Sequence, residues 1–174
     1  MTCVRALLLT GRFGAGKTAV AAEIGHQLGL RRVRNAVIDL DWLCWTGPDL
    51  AGDEFADLLR RNLHDVAANL LWAGVESLVL ARALTGRADR QLVEDALPPG
   101  TSLSVVRLLV DDATARDRVL GRDVGLELDE LMAEGEGFAR AVASAAVEDH
   151  DIDNSGGLSI GDVAVDVLSI CSWI

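Results

Sequence analysis

The run GRFGAGKT, Gly11 to Thr18, carries the spacing G-x-x-x-x-G-K-[ST]. Each residue type has a physical reason. Gly11, Gly14 and Gly16 let the backbone turn and aim its N–H groups inward with no Cβ in the way. Those amides, with the N-terminus of the helix that follows, form a cradle for phosphate. Lys17 reaches toward β- and γ-phosphates as a compact point charge, and the Thr18 hydroxyl is a ligand for Mg²⁺. The residues expected against a bound nucleotide are Gly11, Phe13, Gly14, Ala15, Gly16, Lys17, Thr18 and Ala19. Of the 16 basic residues in the chain, Lys17 is the one lysine.

The surroundings of the loop fit its reading. Before it, Cys3 to Thr10 (CVRALLLT) is a short apolar run that predicts a buried strand. After it, Val20, Ile24 and Leu28 fall on one face of a predicted helix over Lys17 to Leu28. Further along, strands are predicted at Asn35–Leu40, Val75–Leu80, Leu103–Val110 and Asp151–Asp153. Helices are predicted at Asp53–Ala73, Asp89–Leu97, Asp112–Arg122, about Glu127–Val147 and Ile160–Ile170. Gly74 closes the long helix and Pro98-Pro99 stops the next one. Strand and helix alternate without repeat or linker, so the expectation is one α/β domain over residues 1–174. A parallel sheet covered on both faces follows from that alternation. Ligands on such a sheet sit at the carboxyl ends of the strands.

Composition narrows the function. The 174 residues suffice for a real core, and no apolar run approaches the ~18 residues of a membrane span. The start of the chain is not expected to act as a secretory signal, since its apolar stretch is short and runs straight into the Gly-rich loop. The location expected is cytoplasmic. A net charge of −11 argues against non-specific nucleic-acid binding, which needs a basic footprint. Cys3, Cys44 and Cys171 are far apart and read as thiols in a reducing compartment. His26, His64 and His150 have no metal-ligand spacing.

Asp39 and Asp41 flank Leu40 at the end of the second predicted strand, so their side chains share a direction. Asp39 is expected to hold Mg²⁺ through water. Asp41, further out, is expected to orient an attacking hydroxyl and take its proton. The third strand (VESLVLARAL) has no Asp at its end, which puts more weight on Asp39. Asp111 reads as a cap for the helix from Asp112. On the acceptor side, Trp42 and Trp45 can line a pocket, and Arg82 can hold an anionic group. Asn69 and Trp72, on the long helix, are expected within reach of the same cleft.

These features resemble the small P-loop kinases of metabolites, such as shikimate kinase, gluconate kinase, adenylylsulfate kinase and chloramphenicol phosphotransferase. The likeness is carried by GRFGAGKT, VIDLD, TARDRVLGRD and DIDNSGGLSIGDVAVDVL and covers most of the chain. It implies a three-layer P-loop NTPase fold with five parallel strands in the order 2-3-1-4-5. It also implies ATP- and Mg²⁺-dependent phosphoryl transfer to a small-molecule acceptor, by a monomer or homodimer. In these kinases a lid after the fourth strand carries arginines over the phosphates. Its counterpart is a short lid near residues 116–130, with Arg122 as a catalytic cation and Arg118 against the nucleotide; Arg116 is a weaker candidate. A polar turn after the last strand edges the adenine in that family, which implicates Asn154, Ser155 and Gly156. The same stretch, Asp151 to Asp162, also resembles a calcium-binding EF-hand loop, with Asp162 too short for the usual bidentate Glu. A non-enzymatic alternative is an ATP-binding switch protein. A GTPase is disfavoured, because no N/T-K-x-D signature is present.

Overall fold

The computed structural model describes residues 4–46, 50, 52–121 and 128–174, with side chains of residues 128–134 excluded. The order is β1 (Arg5–Thr10), α1 (Lys17–Leu30), β2 (Asn35–Asp39), a short 3₁₀ turn (Trp42–Cys44), α2 (Gly52–Trp72) and β3 (Ser77–Ala81). Then follow α3 (Arg87–Ala96), β4 (Ser102–Leu109), α4 (Asp112–Leu120), α5 (Leu128–Ala145), β5 (His150–Asp153) and α6 (Ile160–Ile170). The five strands form one sheet in the order β2-β3-β1-β4-β5, and every pairing is parallel. This is the expected topology. Element ends differ from the sequence reading by a residue or two, as fraying ends do.

Alternation along the central strands sorts the core onto two faces. Ala6 and Leu8 of β1, with Leu78 and Leu80 of β3, pack against Leu59, Leu63 and Ala67 of α2 and Val93 and Ala96 of α3. Leu7 and Leu9, with Val79 and Ala81, pack against Val20, Ile24 and Leu28 of α1 and Val163, Val167 and Leu168 of α6. β1 and β3 are buried on both faces, which is why they read as continuous apolar runs.

The strands all end at one edge of the sheet, and that edge carries the site. β1 runs directly into the Gly-rich loop. Two hydrogen bonds hold its neighbours in place. The Thr10 hydroxyl accepts from the Leu84 backbone N–H at 2.9 Å. The Asn62 side chain of α2 donates to the Leu43 carbonyl at 2.7 Å, which fixes the 3₁₀ turn beyond Asp41.

One expectation fails on this geometry. α2 starts at the site edge, where Gly52 and Phe55 lie with Arg82 around one cavity, and runs to the opposite end of the sheet. At about 1.5 Å per residue, Asn69 and Trp72 are roughly 25–30 Å along the helix from its start. Trp72 is 92 % exposed, and the chain turns beside it toward the beginning of β3, where the Glu76 N–H donates to the Arg34 carbonyl. Neither residue belongs to the cleft; the helix is simply too long for its far end to reach it.

Candidate nucleotide and acceptor site

The loop from Gly11 to Gly16 is wrapped tightly against its neighbours. Gly11 has φ +142°, and a Cβ there would lie 2.7 Å from the Leu108 carbonyl oxygen. Gly14 has φ +78°, and its Cβ would lie 2.5 Å from the Ala115 carbonyl oxygen on α4. The loop therefore needs glycine at both positions for conformation and for clearance. The Lys17 Nζ donates to the Gly11 carbonyl at 3.0 Å and to the Arg12 carbonyl at 3.2 Å. Those bonds hold the ammonium against the loop backbone.

Asp39 closes the next side. The Thr18 hydroxyl donates to Asp39 Oδ2 at 2.7 Å. Asp39 Oδ1 accepts from the Asp41 backbone N–H at 3.1 Å. One hydroxyl and one carboxylate thus meet beside Lys17, a hard-oxygen pair suited to Mg²⁺. Asp41 turns to the third strand: Arg82 Nη1 donates to its Oδ1 at 2.9 Å. Burial raises the Asp41 pKa, Arg82 lowers it, Asp39 raises it and Lys17 lowers it. The side chain is 60 % exposed, so water limits the rise. The Arg82 backbone N–H is tied to the Leu9 carbonyl at 3.1 Å. Trp42 and Trp45 stack on each other, centroids 4.9 Å apart, and both are exposed beyond Asp41.

On the other side of the loop lie α4 and the turn after β5. Asp111 caps α4 by accepting from the Thr114 N–H at 2.8 Å, the role expected of it. The backbone and hydroxyl bonds from Thr114 hold its pKa below the usual carboxylate value. Arg118 Nη1 donates to the Gly14 carbonyl at 3.3 Å and lies 3.8 Å from the Cβ position of Gly16. Arg116 is exposed on another face of α4. Arg122 and residues 122–127 of the lid expected near residues 116–130 lie outside the described residues, as does Cys3.

The turn after β5 joins this wall. Asn154 is buried, and its side-chain amide donates to the Ala15 carbonyl at 2.8 Å. Its polar end is thus committed to the back of the loop, which makes it a strut. Ser155 links the turn to α4, since its hydroxyl accepts from the Asp111 N–H at 3.1 Å and its carbonyl accepts from the Thr114 hydroxyl at 2.5 Å. Gly156 and Gly157, both at positive φ, remain exposed. The calcium alternative loses its first ligand here. Both Asp151 oxygens accept from Arg107, at 2.8 and 2.9 Å, and Asp162 forms a capping box with Ser159 at the start of α6. No group of three or more His, Cys, Asp or Glu residues placed to hold a metal occurs among the described residues.

Two contacts had no signal in the sequence. Phe13 stacks on Phe138 of α5, with centroids 4.7 Å apart, and Arg12 pairs with Asp112 of α4. Arg12 and Phe13 of the loop thereby contact the two helices that flank residues 122–127. A cavity of about 410 Å³ opens between them, lined by Phe13, Ala115, Arg116 and Arg140 among others. Cys44 and Cys171 are free thiols, and the Cys171 pKa is pushed up to about 11 by burial first, then by the nearby Asp149.

A parallel sheet in the order 2-3-1-4-5, with a glycine-rich loop after its central strand, is a fold that this chain shares with solved small kinases. No protein-family model matches the chain, and no curated protein matches it by sequence. Solved structures match it over nearly its whole length. An unliganded sugar kinase from Janibacter sp. HTCC2649 is 16% identical, covering 97% of this chain and 95% of its own, with a TM-score of 0.69. An APS kinase from Mycobacterium tuberculosis, in complex with AMPPNP and APS, is 23% identical, covering 99% of each chain, with a TM-score of 0.67. Shikimate kinase from Bacteroides thetaiotaomicron is 18% identical, covering 97% of this chain and 98% of its own, with a TM-score of 0.67. The fold is that of small P-loop metabolite kinases. No helix among the described residues is long and apolar enough to cross a membrane.

Proposed function

We propose that this protein is an ATP- and Mg²⁺-dependent kinase that phosphorylates a hydroxyl, or a similar group, on a small-molecule acceptor. The observation that carries the reading is a pair of carboxylates at the end of β2, of which one meets the phosphate loop and the other stands just beyond it. Asp39 accepts from Thr18 at 2.7 Å, and Asp41 is held by Arg82, near enough to Asp39 and Lys17 to feel their charge. A nucleotide switch needs the first carboxylate and has no use for the second.

In this reading the loop amides and Lys17 hold the polyphosphate of ATP. Thr18 and Asp39 would hold Mg²⁺, which would supply positive charge to offset that of the phosphates. Asp41 accepts a hydrogen bond from the acceptor hydroxyl. The hydroxyl oxygen bonds to the γ-phosphorus, the bond from that phosphorus to the β–γ bridging oxygen breaks, and ADP leaves with the electron pair. The hydroxyl proton passes to Asp41. Arg118, and Arg122 on the lid segment, add positive charge where the transferring phosphoryl develops its own. The likeness to an APS kinase solved with AMPPNP supports the nucleotide, and the kinases among the similar structures support the reaction class.

The test is ADP release across a panel of hydroxylated metabolites and antibiotics, with Lys17→Ala as the control. Turnover with at least one acceptor is expected, and its loss in Lys17→Ala together with weaker Mg·ATP binding. Tight Mg·ATP binding with no transfer to any acceptor would return the protein to the switch reading. Unchanged Mg·ATP binding in Lys17→Ala would remove the phosphate-loop assignment itself.

A further inference from the structure

We propose that the end of the sheet opposite the phosphate loop docks an acidic segment of a protein partner, one with an aromatic or aliphatic residue among its carboxylates. The inference does not depend on the kinase reading.

The first ground is where the chain leaves its cations without counter-charge. α1 runs away from the phosphate loop and ends at Leu30, and Arg31, Arg32, Val33 and Arg34 lead on to β2. The three arginines are exposed, and none of them is in an ion pair among the described residues. Arg31 is held by its own helix: its Nη1 donates to the backbone carbonyl and the side-chain oxygen of Gln27, each at 2.9 Å. Both partners are neutral, so the charge stays uncompensated. Arg60, Arg61, Arg90 and Arg107, by contrast, all lie against carboxylates. This corner is positive in a chain whose net charge is −11.

The second ground is the apolar surface that adjoins it. The turn between α2 and β3 lies against the turn between α1 and β2. The Arg34 carbonyl accepts from the Glu76 and Ser77 N–H groups at 2.8 and 3.2 Å. The Arg34 guanidinium also lies so close over Gly74 that a Cβ there would collide with it. Trp72, two residues before Gly74, is 92 % exposed, and Leu30 is 65 % exposed. Glu76 is the one acid within residues 30–34 and 72–76.

The third ground is the backbone under Arg32. The Arg32 N–H donates to the Gly29 carbonyl at 2.9 Å and the Val33 N–H to the Leu28 carbonyl at 3.0 Å, which closes α1. The same pair of bonds closes α2, from Gly74 to Leu71 and from Val75 to Leu70. This closure needs a left-handed residue, for which glycine is favoured. Gly74 supplies it at φ +89°, whereas α1 has Arg32 there at φ +60°. The chain thus carries a cation at a position where glycine would be more stable.

A short protein segment fits this corner better than a bilayer or a nucleic acid. Those are extended polyanions, and they would also face the rest of an acidic molecule. Charges are screened only beyond about 8 Å at physiological salt. A segment of a few residues meets the corner alone. Its carboxylates match the guanidinium forks, and its apolar side chain covers Trp72 as at the core of an interface.

The experiment is fluorescence polarisation of a short labelled peptide of glutamates around one phenylalanine, titrated with the protein at low and high salt. The peptide should bind, more weakly as salt rises, and at least tenfold more tightly than the same peptide with glutamine for glutamate. The double variant Arg31→Glu, Arg34→Glu should abolish binding, and Trp72→Ala should weaken it. Arg32→Gly should lower the affinity at least twofold while raising the urea midpoint of unfolding, so its loss of binding is separate from any loss of fold. Circular dichroism and unchanged Mg·ATP binding verify the other variants. No binding of the acidic peptide, or equal binding of the glutamine peptide, overturns the proposal. So does an unchanged affinity in either the double variant or Arg32→Gly, which would put the peptide elsewhere on the molecule. Co-sedimentation with phosphatidylcholine–phosphatidylserine vesicles, lost in the double variant and without peptide binding, would overturn it in favour of a membrane surface.

Discussion

Asp39 and Asp41 are two residues apart and face different partners. Asp39 is fixed from both sides, by the Thr18 hydroxyl and by the Asp41 backbone, which leaves it at the phosphate end of the site. Asp41 is held by the Arg82 side chain, on the side where the kinase reading puts the acceptor. Asp39→Asn should therefore weaken the dependence on Mg²⁺ and slow even the background hydrolysis of ATP. Asp41→Asn should spare nucleotide binding and background hydrolysis while lowering transfer to the acceptor by about 10²–10⁴-fold, the usual worth of a general base. Steady-state assays with and without acceptor, over a Mg²⁺ titration, separate the two. Full transfer activity in both variants would make the pair structural.

At the scale of elements, the phosphate loop depends on parts distant in sequence. The turn after β5 props it from behind through Asn154, and α4 closes on it through Arg118 and the Ala115 backbone. Asn154→Ala should cost about 1 kcal/mol of stability, the net value of one buried hydrogen bond. It should also loosen the loop and so reduce Mg·ATP affinity. Urea unfolding and calorimetric titration measure the two effects. An unchanged affinity would limit Asn154 to holding the fold. The helix α6 starts at the same turn with a reciprocal cap, so Ser159→Ala should cost about 1 kcal/mol as well. Unlike Asn154→Ala, it should leave the affinity alone, because Ser159 touches neither the loop nor α4.

For the whole molecule, pH reports on the nucleotide side of the site. Thr114 holds the Asp111 pKa below 3.8, and the Ser155 hydroxyl and backbone hold that of Asp153 below 3.8. A carboxylate whose folded pKa is depressed stabilises the fold above its unfolded pKa, and that stability is lost as pH falls through the folded value. The contribution of this pair should thus be level from neutral pH down to about the 3.8 of the unfolded groups and disappear below it. Urea midpoints of the wild type and of the Asp111→Asn, Asp153→Asn double variant should differ at pH 6 and converge toward pH 2. A gap that persists at pH 2 would assign the effect to packing rather than to charge.

The elements and their order were legible from local signals. GRFGAGKT, the apolar runs of β1 and β3, and the helical spacing of α1 and α2 each state their conformation within a dozen residues. Alternation of strand and helix then leaves the parallel, doubly covered sheet as the way to bury both faces. The facing of Asp39 toward the loop was legible too, because it follows from strand periodicity and the position of the loop after β1. What the sequence could not supply was reach. Whether Asn69 and Trp72 meet the cleft depends on which way α2 runs from it, and periodicity says which face a residue occupies but not which end. Arg82 with Asp41, Asn154 with Ala15, and Phe13 with Phe138 lie 41, 139 and 125 positions apart. Such pairs exist only once the sheet has brought its strand ends together, so their partners were decided by tertiary packing alone.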